Sequence, residues 1–171
     1  MKILSSRKGQ FYILISLLLI SYAFALARQD TPVRKPRDSF QLLHEGFMRE
    51  GAAVINGAVY QGGNVTSVFA NFSNSYAAFA RSSEPRFTFA WLLKEQGSLT
   101  IGNRFGSDLN ATVGGLGYVV SPDTELTVPV ATTVLRTTGI DYTYVFSSED
   151  IQLKALFRIS DRLSRRVFVS G

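Results

Sequence analysis

The sequence contains no cysteine and only one histidine, which removes several large classes of chemistry from consideration. Without cysteine there is no disulfide framework, no thiolate-bound zinc or iron–sulfur cluster and no thiol nucleophile. Charged residues are also scarce, at 18% of 171 residues, whereas 46% are hydrophobic and 12% are aromatic. A disordered chain has too little apolar surface to bury. This composition therefore predicts a chain that folds around a packed core.

Motifs for catalysis are also missing from the sequence. His44 is followed by Glu45, but neighbouring residues on a helix point in different directions, and we interpret His44 as a partly exposed helix residue. No serine stands in the G-x-S-x-G pattern of a nucleophile elbow. The glycine-rich run 114–117 lacks the spacing of a phosphate-binding loop and predicts a hairpin turn. We predict a protein that is not an enzyme and has no cofactor or metal, and the sequence identifies no small-molecule substrate.

The positive charge of the chain is modest and unevenly distributed. The sequence has 18 basic and 13 acidic residues, and without residues 1–27 it has 15 basic against 13 acidic, a net charge of +2. That is too little for a strong electrostatic contact with a phosphate backbone, so we predict no nucleic-acid partner. A basic cluster near the end of the chain predicts a charged surface turn, or alternatively a contact with an acidic polymer or lipid headgroups. Its members are Arg158, Arg162, Arg165 and Arg166.

One long hydrophobic run stands at the start of the sequence. Residues 11–27 contain no charged residue, and as a helix they would span about 25 Å, close to the thickness of a membrane core. Basic residues flank the run on both sides, at Lys2, Arg7 and Lys8 before it and at Arg28 after it. We predict that residues 1–27 form a signal or anchor segment with the membrane as its partner, and that the rest of the chain lies outside the cell.

Two processing sites are compatible with this segment. The small residues Ala25 and Ala27, followed by Arg28, match the cleavage site of a secretory signal peptide, whose removal would release the chain. The alternative lies earlier, where charged residues and Gly9 come directly before Gln10 and the hydrophobic run. This arrangement resembles the class III signal peptides of archaeal type IV pilin-like proteins. The resemblance implies cleavage between Gly9 and Gln10, retention of the hydrophobic helix as a membrane anchor, and other pilin-like subunits as partners.

The resemblance covers only the first 27 residues, and it departs from the pilin pattern at Leu14. Such pilins usually carry a glutamate five residues into the mature chain, where it is thought to help subunits align in a filament. Three sequons follow later in the sequence, and they make Asn110, Asn64 and Asn71 candidate glycosylation sites. Asn64 follows two glycines and is expected to cap a helix, Asn71 falls within a predicted helix, and Asn110 lies in a turn-rich stretch.

Residues 28–37 predict a linker, and residues 38–84 predict a helical pair. The linker holds two prolines and four basic residues, which favours an extended, solvated spacer. The first helix is predicted from Asp38 to Tyr60 and the second from Asn64 to Ala80, because apolar residues recur there at helical spacing. The first apolar stripe is Phe40, Leu43, Phe47, Val54 and Ala58; the second is Val65, Phe69, Phe72, Tyr76 and Phe79.

Residues 85–171 change to the two-residue period of strands. Phe87, Phe89 and Trp91 alternate with smaller or polar residues, which predicts one aromatic, buried strand face. Short alternating segments separated by turn signals continue to the end of the chain. They predict an antiparallel β-sandwich of about seven or eight strands, with Pro129 on an edge strand, packed with the helices as one ectodomain. The fold class is therefore α+β, with an N-terminal membrane helix, two ectodomain helices and the sandwich.

The order of these segments indicates a surface protein. A hydrophobic N-terminal helix followed by a β-rich head again resembles an archaeal pilin in architecture. The function expected is that of a membrane-anchored cell-surface protein of pilin-like type, with a structural or adhesive role. The alternative is a secreted or tethered β-sandwich module that binds a carbohydrate or a protein partner. Trp91, Tyr142 and Tyr144 could stack on sugars if they faced outward, but the alternation assigns Trp91 to the core.

Overall fold

The computed structural model of the protein describes residues 15–16, 38–160 and 165–170, and the chain divides into two compact units, residues 1–37 and 38–171. In the first unit only Ile15 and Ser16 are described, and both are helical. The predicted processing sites, the linker and nearly all of the predicted membrane helix lie outside the described residues. Within those residues, no helix is both long enough and apolar enough to span a membrane.

The second unit begins with two helices. Helix α1 spans Ser39–Tyr60, and helix α2 spans Val65–Ser83. The Asp38 carboxylate accepts a hydrogen bond from the Phe40 amide, and the Asn64 side chain accepts one from the Ser67 amide, so both helices begin at a side-chain cap. The two predicted helices are confirmed. The second one continues three residues beyond its predicted end.

Nine strands follow within the described residues, and they form two antiparallel sheets. The five-stranded sheet has the order β5-β2-β1-β8-β9 and the four-stranded sheet has the order β4-β3-β6-β7. Pro129 ends β5 at the edge of the larger sheet, as predicted. The strands are β1 Phe87–Glu95, β2 Ser98–Arg104, β3 Leu109–Val113, β4 Leu116–Val120, β5 Glu125–Pro129, β6 Thr133–Thr137, β7 Ile140–Tyr144, β8 Ile151–Ser160 and β9 Arg165–Ser170.

The structure has more strands than the seven or eight predicted because β6 carries a weak sequence signal. Its inward-facing residues are Thr133, Leu135 and Thr137, so only one of the three is hydrophobic. Two threonines on the buried face hide the alternation that identifies a strand. The three tight turns at residues 96–97, 114–115 and 138–139 place all six residues at positive φ. The second of these is the hairpin predicted from the glycine-rich run.

The second unit consists of three layers, with the five-stranded sheet in the middle. The side chains of Phe87, Phe89 and Trp91 on β1 pack against the two helices. Ala90 and Leu92, on the other face of the same strand, pack against the four-stranded sheet. Trp91 is fully buried, which confirms its assignment to the core. The central strand therefore contributes to both hydrophobic cores.

The helices bury slightly different faces from those predicted. In α2 the buried face is rotated from the aromatic stripe toward Ser73, Ala77 and Ala80, which leaves Phe79 at the margin and 60% exposed. In α1, Val54 is half-buried and Ile55 is buried. Aromatic spacing alone cannot fix the rotation of a helix when small residues beside the stripe allow a closer approach to the sheet.

Candidate functional site

The helix-facing side of the five-stranded sheet is divided into an aromatic half and a polar half. The aromatic half is formed by β1 and β8, and the helices cover it. On β2 and β5 the residues in register with it are small or polar. They are Ser98, Thr100, Gly102 and Arg104 on β2, with Glu125 and Thr127 on β5. Because the apolar residues of β2 point to the other sheet, its polar residues necessarily share the helix side.

A groove of about 510 Å³ lies where this polar half meets the beginning of α2. Its lining contains five hydroxyl groups, two carboxylates and two side-chain amides, together with one alanine. Among the residues that the structure describes, no aromatic and no basic side chain lines it. The lining residues are Asn64, Thr66, Ser67, Ala70, Glu95, Gln96, Ser98, Thr100, Glu125 and Thr127.

Hydrogen bonds within the lining hold the walls of the groove together. The Thr66 hydroxyl donates to the Glu95 carboxylate at 2.8 Å and so joins α2 to the end of β1. The hydroxyl oxygens of Thr100 and Thr127 lie 2.9 Å apart and join β2 to β5. Within the part of the chain that the structure describes, no hydrogen bond engages the Ser98 side chain, which is exposed. The groove therefore has a fixed frame and at least one free polar group.

A buried arginine fixes one end of the groove. The Arg104 side chain is fully buried, and its guanidinium donates hydrogen bonds to the Ser73 hydroxyl at 2.9 Å and to the Asn103 carbonyl at 3.0 Å. The same guanidinium forms an ion pair with Glu125, whose side chain is 31% exposed. Burying an unpaired guanidinium would be very costly, so Glu125 is required where it stands. The ion pair also neutralises much of the negative charge at this end.

Asn103 ties together the loops beside the buried arginine. Its side-chain amide donates to the carbonyls of Ser107 and Val120, at 3.0 and 2.8 Å. Its side-chain oxygen accepts a hydrogen bond from the Phe105 amide at 2.8 Å. Because every polar atom of this buried side chain has a partner, the crossing from β2 to the smaller sheet is held in one conformation.

No protein-family model, no curated protein and no solved structure matches this chain. The chemistry of the lining indicates what the groove can bind. The Glu95 carboxylate has no basic side chain beside it in the lining, and the Arg104 guanidinium is already paired with Glu125, so the groove disfavours anionic ligands. Hydroxyl and amide groups both donate and accept hydrogen bonds, and carboxylates accept them in pairs. Among the described residues, no group of three or more histidines, aspartates and glutamates could hold a metal ion.

Of the predicted site residues, the structure describes only the three candidate glycosylation sites. Gly9, Gln10, Ala25, Ala27 and Arg28 lie outside the described residues. Asn64, Asn71 and Asn110 are all exposed, the first two at the start and in the middle of α2. Asn110 lies within β3, between bends at residues 105–107 and a turn at residues 114–115. The short turns on either side of a five-residue strand give that stretch its loop-like composition.

The aromatic residues considered for sugar stacking are not available as a platform. Trp91 is fully buried, Tyr144 is 2% exposed and Tyr142 is half-buried against the core between the sheets. Burial raises the pKa of the Tyr144 hydroxyl, which lies 3.5 Å from the Ala155 carbonyl oxygen. A stacking role for Tyr144 is therefore wrong.

His44 is buried, so its interpretation as a partly exposed helix residue is wrong. Its imidazole stacks on the ring of Phe168, with centroids 3.9 Å apart and an interplanar angle of 13°. The ring also meets the edge of Phe40 at 5.5 Å. Burial lowers the pKa of His44, and the negative charge of Glu45 opposes this with a smaller effect. His44 therefore acts as a neutral core aromatic between α1 and β9.

The basic cluster near the end of the chain is only partly described. Arg158 is half-buried on β8 and its guanidinium donates to the Thr137 hydroxyl at 3.0 Å. Arg166 on β9 forms an ion pair with Asp38, the residue that caps α1. The side chains of Arg162 and Arg165 lie outside the described part. Two of the four arginines thus serve contacts within the fold.

The groove is the feature that sequence patterns did not predict. Leu99 and Ile101 alternate with Thr100 and Gly102, a pattern typical of a strand with one solvated face. That pattern locates a polar sheet face correctly. It contains no signal that a helix begins beside this face and turns it into a groove. The one available signal is Arg104, because a charged residue at the end of an apolar strand needs a partner wherever it is buried.

Proposed function

We propose that this protein is a membrane-tethered cell-surface protein with an adhesive role, and that its second unit binds a neutral, hydroxyl-rich ligand of carbohydrate type. The hydrophobic segment at residues 11–27 supports the tether. The polar groove beside α2 supports the ligand, and it is the observation that carries the proposal. The pilin-like processing between Gly9 and Gln10 belongs to the same proposal, with other copies of such subunits as partners.

The chemistry of the lining favours a sugar over other small ligands. Neighbouring hydroxyls of a sugar can donate to a carboxylate such as Glu95 and accept from hydroxyls such as that of Ser98. An anionic ligand would meet the Glu95 carboxylate, which has no basic partner in the groove, and would find the one nearby guanidinium already paired with Glu125. An apolar ligand would leave these polar groups without partners, at a cost of about 1–3 kcal/mol for each buried one.

A single site of this kind is expected to bind weakly. The described residues of the lining offer no aromatic ring for stacking, so hydrogen bonds that compete with water supply most of the affinity. Many tethered copies facing a repeating polymer would gain affinity through multivalency. A weak site repeated over a surface suits an adhesive role.

Binding can be tested with the full chain in detergent micelles on immobilised neutral oligosaccharides at high density. We expect Ser98→Ala and Glu95→Gln to reduce binding at least several-fold, because both side chains line the groove. Glu125 is not suitable for substitution, because its loss would leave Arg104 buried without its ion pair. Thr143→Ala, on the exposed outer face of the smaller sheet, is the matched control and should bind like the unaltered chain.

Equal binding by the groove variants and the control would contradict the carbohydrate proposal. A protein partner that the same groove variants fail to bind would favour the alternative, a β-sandwich module for protein recognition. Binding that is lost in Thr143→Ala alone would assign the site to the other face of the molecule.

The tether is tested separately by identifying the N-terminus of the mature protein. Peptide mass spectrometry on membrane and medium fractions of the native host gives this directly. A mature chain that starts at Gln10 in the membrane supports pilin-type processing. One that starts at Arg28 in the medium supports a secreted binding module and contradicts the anchored form. A chain found only inside the cell contradicts both.

A further inference from the structure

We infer that Asn110 carries an N-linked glycan, and that this glycan covers the outer face of the four-stranded sheet. The sequon Asn110-Ala111-Thr112 lies within β3, where Leu109, Ala111 and Val113 are buried. Side chains alternate along a strand, so Asn110 and Thr112 both point outward, and both are exposed. The two side chains that define the sequon therefore lie on one accessible face.

The other two sequons do not present both of their side chains. In the first, the Asn64 side chain accepts the capping hydrogen bond from the Ser67 amide at 2.8 Å, and the Thr66 hydroxyl donates to Glu95. In the second, Asn71 is exposed, but Ser73 is fully buried and its hydroxyl accepts from Arg104 at 2.9 Å. Residues two apart on a helix point to different sides, so the asparagine of a helical sequon and the serine or threonine two residues later cannot lie on the same face.

The surroundings of Asn110 leave room for a glycan. It pairs with Val119 on β4 and Arg136 on β6, and Thr112 pairs with Gly117, where an added Cβ would meet no atom within 4 Å. A shallow cavity of about 310 Å³ lies on this face. Arg136 is held by Asp141 through two hydrogen bonds of 2.6 and 2.8 Å. Within the described residues, no hydrogen bond engages the Asn110 side chain.

The modification needs one co-reactant, an oligosaccharide linked through phosphate or pyrophosphate to a membrane lipid. The Asn110 side-chain nitrogen attacks the anomeric carbon of the first sugar. A carbon–nitrogen bond forms, the bond from that carbon to the phosphate oxygen breaks, and the lipid phosphate leaves. The amide nitrogen loses one proton to a base of the host's transferase. No oxidant or reductant is required, and the product is the glycosylated asparagine.

The glycan would shield apolar surface without blocking the groove. Val119 is 63% exposed on the same face, next to Asn110. The groove lies on the helix side of the other sheet, two layers away from this face. A glycan at Asn110 therefore adds solubility to the outer sheet and leaves ligand binding free.

One digest of the protein from its native host tests the inference. Cleavage by trypsin after Arg104 and Arg136 gives the peptide 105–136, whose only asparagine is Asn110, while Asn64 and Asn71 fall together in the peptide 50–81. We expect a saccharide mass on the first peptide and none on the second. An unmodified peptide 105–136, or a modified peptide 50–81 alone, would overturn the inference.

Three variants in the native host identify the modified residue. Asn110→Gln and Thr112→Val should abolish the added mass, because each destroys the sequon while keeping a strand-compatible side chain. Thr112→Ser keeps the sequon and should retain it. Added mass that persists in Asn110→Gln would overturn the assignment.

The same digest separates this inference from the proposed function, with which it shares the expectation that residues 38–170 lie outside the cell. An external chain with an unmodified peptide 105–136 overturns the glycan alone. A chain recovered only inside the cell, without added mass, overturns both. An unaltered, glycosylated chain that binds no oligosaccharide overturns the groove proposal alone.

Discussion

The indole ring of Trp91 lies against the backbone of Gly102 on the neighbouring strand. A Cβ atom added at Gly102 would be 2.1 Å from one ring carbon and 2.2 Å from the ring nitrogen. The ring is fully buried and in edge contact with Phe69, with centroids 5.0 Å apart. Because the ring is fully buried, any side chain at position 102 would force it or its packed neighbours to shift.

We expect Gly102→Ala to lower the free energy of unfolding by about 3 kcal/mol, because overpacking a closed core forces strain on its neighbours. The matched control is Gly57→Ala in α1, where an added Cβ meets nothing within 4 Å. That change should stabilise the protein by about 1 kcal/mol through helix propensity. Urea titration of both variants measures the difference. Equal stability of the two would contradict the close packing at Trp91.

His44 predicts a pH dependence of stability. Burial lowers its pKa in the folded protein below the ordinary value of 6.5, so the unfolded chain takes up the proton first as the pH falls. The neutral His44 ring therefore makes its full contribution to the free energy of unfolding above about pH 6.5, and this contribution is lost progressively below that pH. His44→Phe keeps an aromatic ring between Phe40 and Phe168 and removes the titrating group.

The measurement is the free energy of unfolding of the unaltered chain and of His44→Phe across this pH range. We expect the unaltered chain to lose stability relative to the variant as the pH drops below 6.5. A gain relative to the variant would mean that the fold favours the imidazolium, contrary to its burial.

At the scale of elements, α2 depends on its first residues. The Asn64 side chain satisfies the Ser67 amide, one of the helix-end donors that otherwise has no partner. We expect Asn64→Ala to cost about 1 kcal/mol and Asn64→Asp to cost nothing, because aspartate keeps the acceptor and its charge suits the helix dipole. Thermal unfolding followed by circular dichroism compares them. A loss of stability in Asn64→Asp as large as in Asn64→Ala would exclude capping as the cause.

The helices and strands also show which features of the fold hydrophobic periodicity can predict. Both helices, their capping residues and the aromatic face of β1 follow from local patterns that a single element determines. The pattern fails at β6, where buried threonines replace apolar residues, and at Phe79, where neighbouring small residues change the buried face. In both cases the deciding contact comes from another element, which the local sequence does not contain.

At the scale of the whole second unit, β1 links two cores. Its aromatic residues pack under the helices, and Leu92 packs against the four-stranded sheet. Because β1 is buried on both faces, unfolding of one core displaces this strand and disrupts the other core as well. We therefore expect one cooperative unfolding transition. Trp91 is the single tryptophan and reports on the helix-side core alone.

We therefore expect Leu92→Ala, on the opposite face from Trp91, to lower stability by about 3 kcal/mol and to shift the tryptophan fluorescence and circular dichroism transitions together. Leu116→Ala is the control, because Leu116 is 64% exposed and its loss should change stability by less than about 0.5 kcal/mol. A fluorescence transition that stays in place while the circular dichroism signal moves would show two independent cores.

The sequence by itself determined the α+β class, the two capped helices, the buried aromatic strand and the turns, because each depends on residues close together in the chain. Only the tertiary structure decided that α2 stands beside the polar half of a sheet, that Arg104 is buried against Glu125, and that one sequon faces outward with both its side chains. These features join residues far apart in sequence. Tertiary packing determines which residues become partners, and the local hydrophobic pattern contains no information about them.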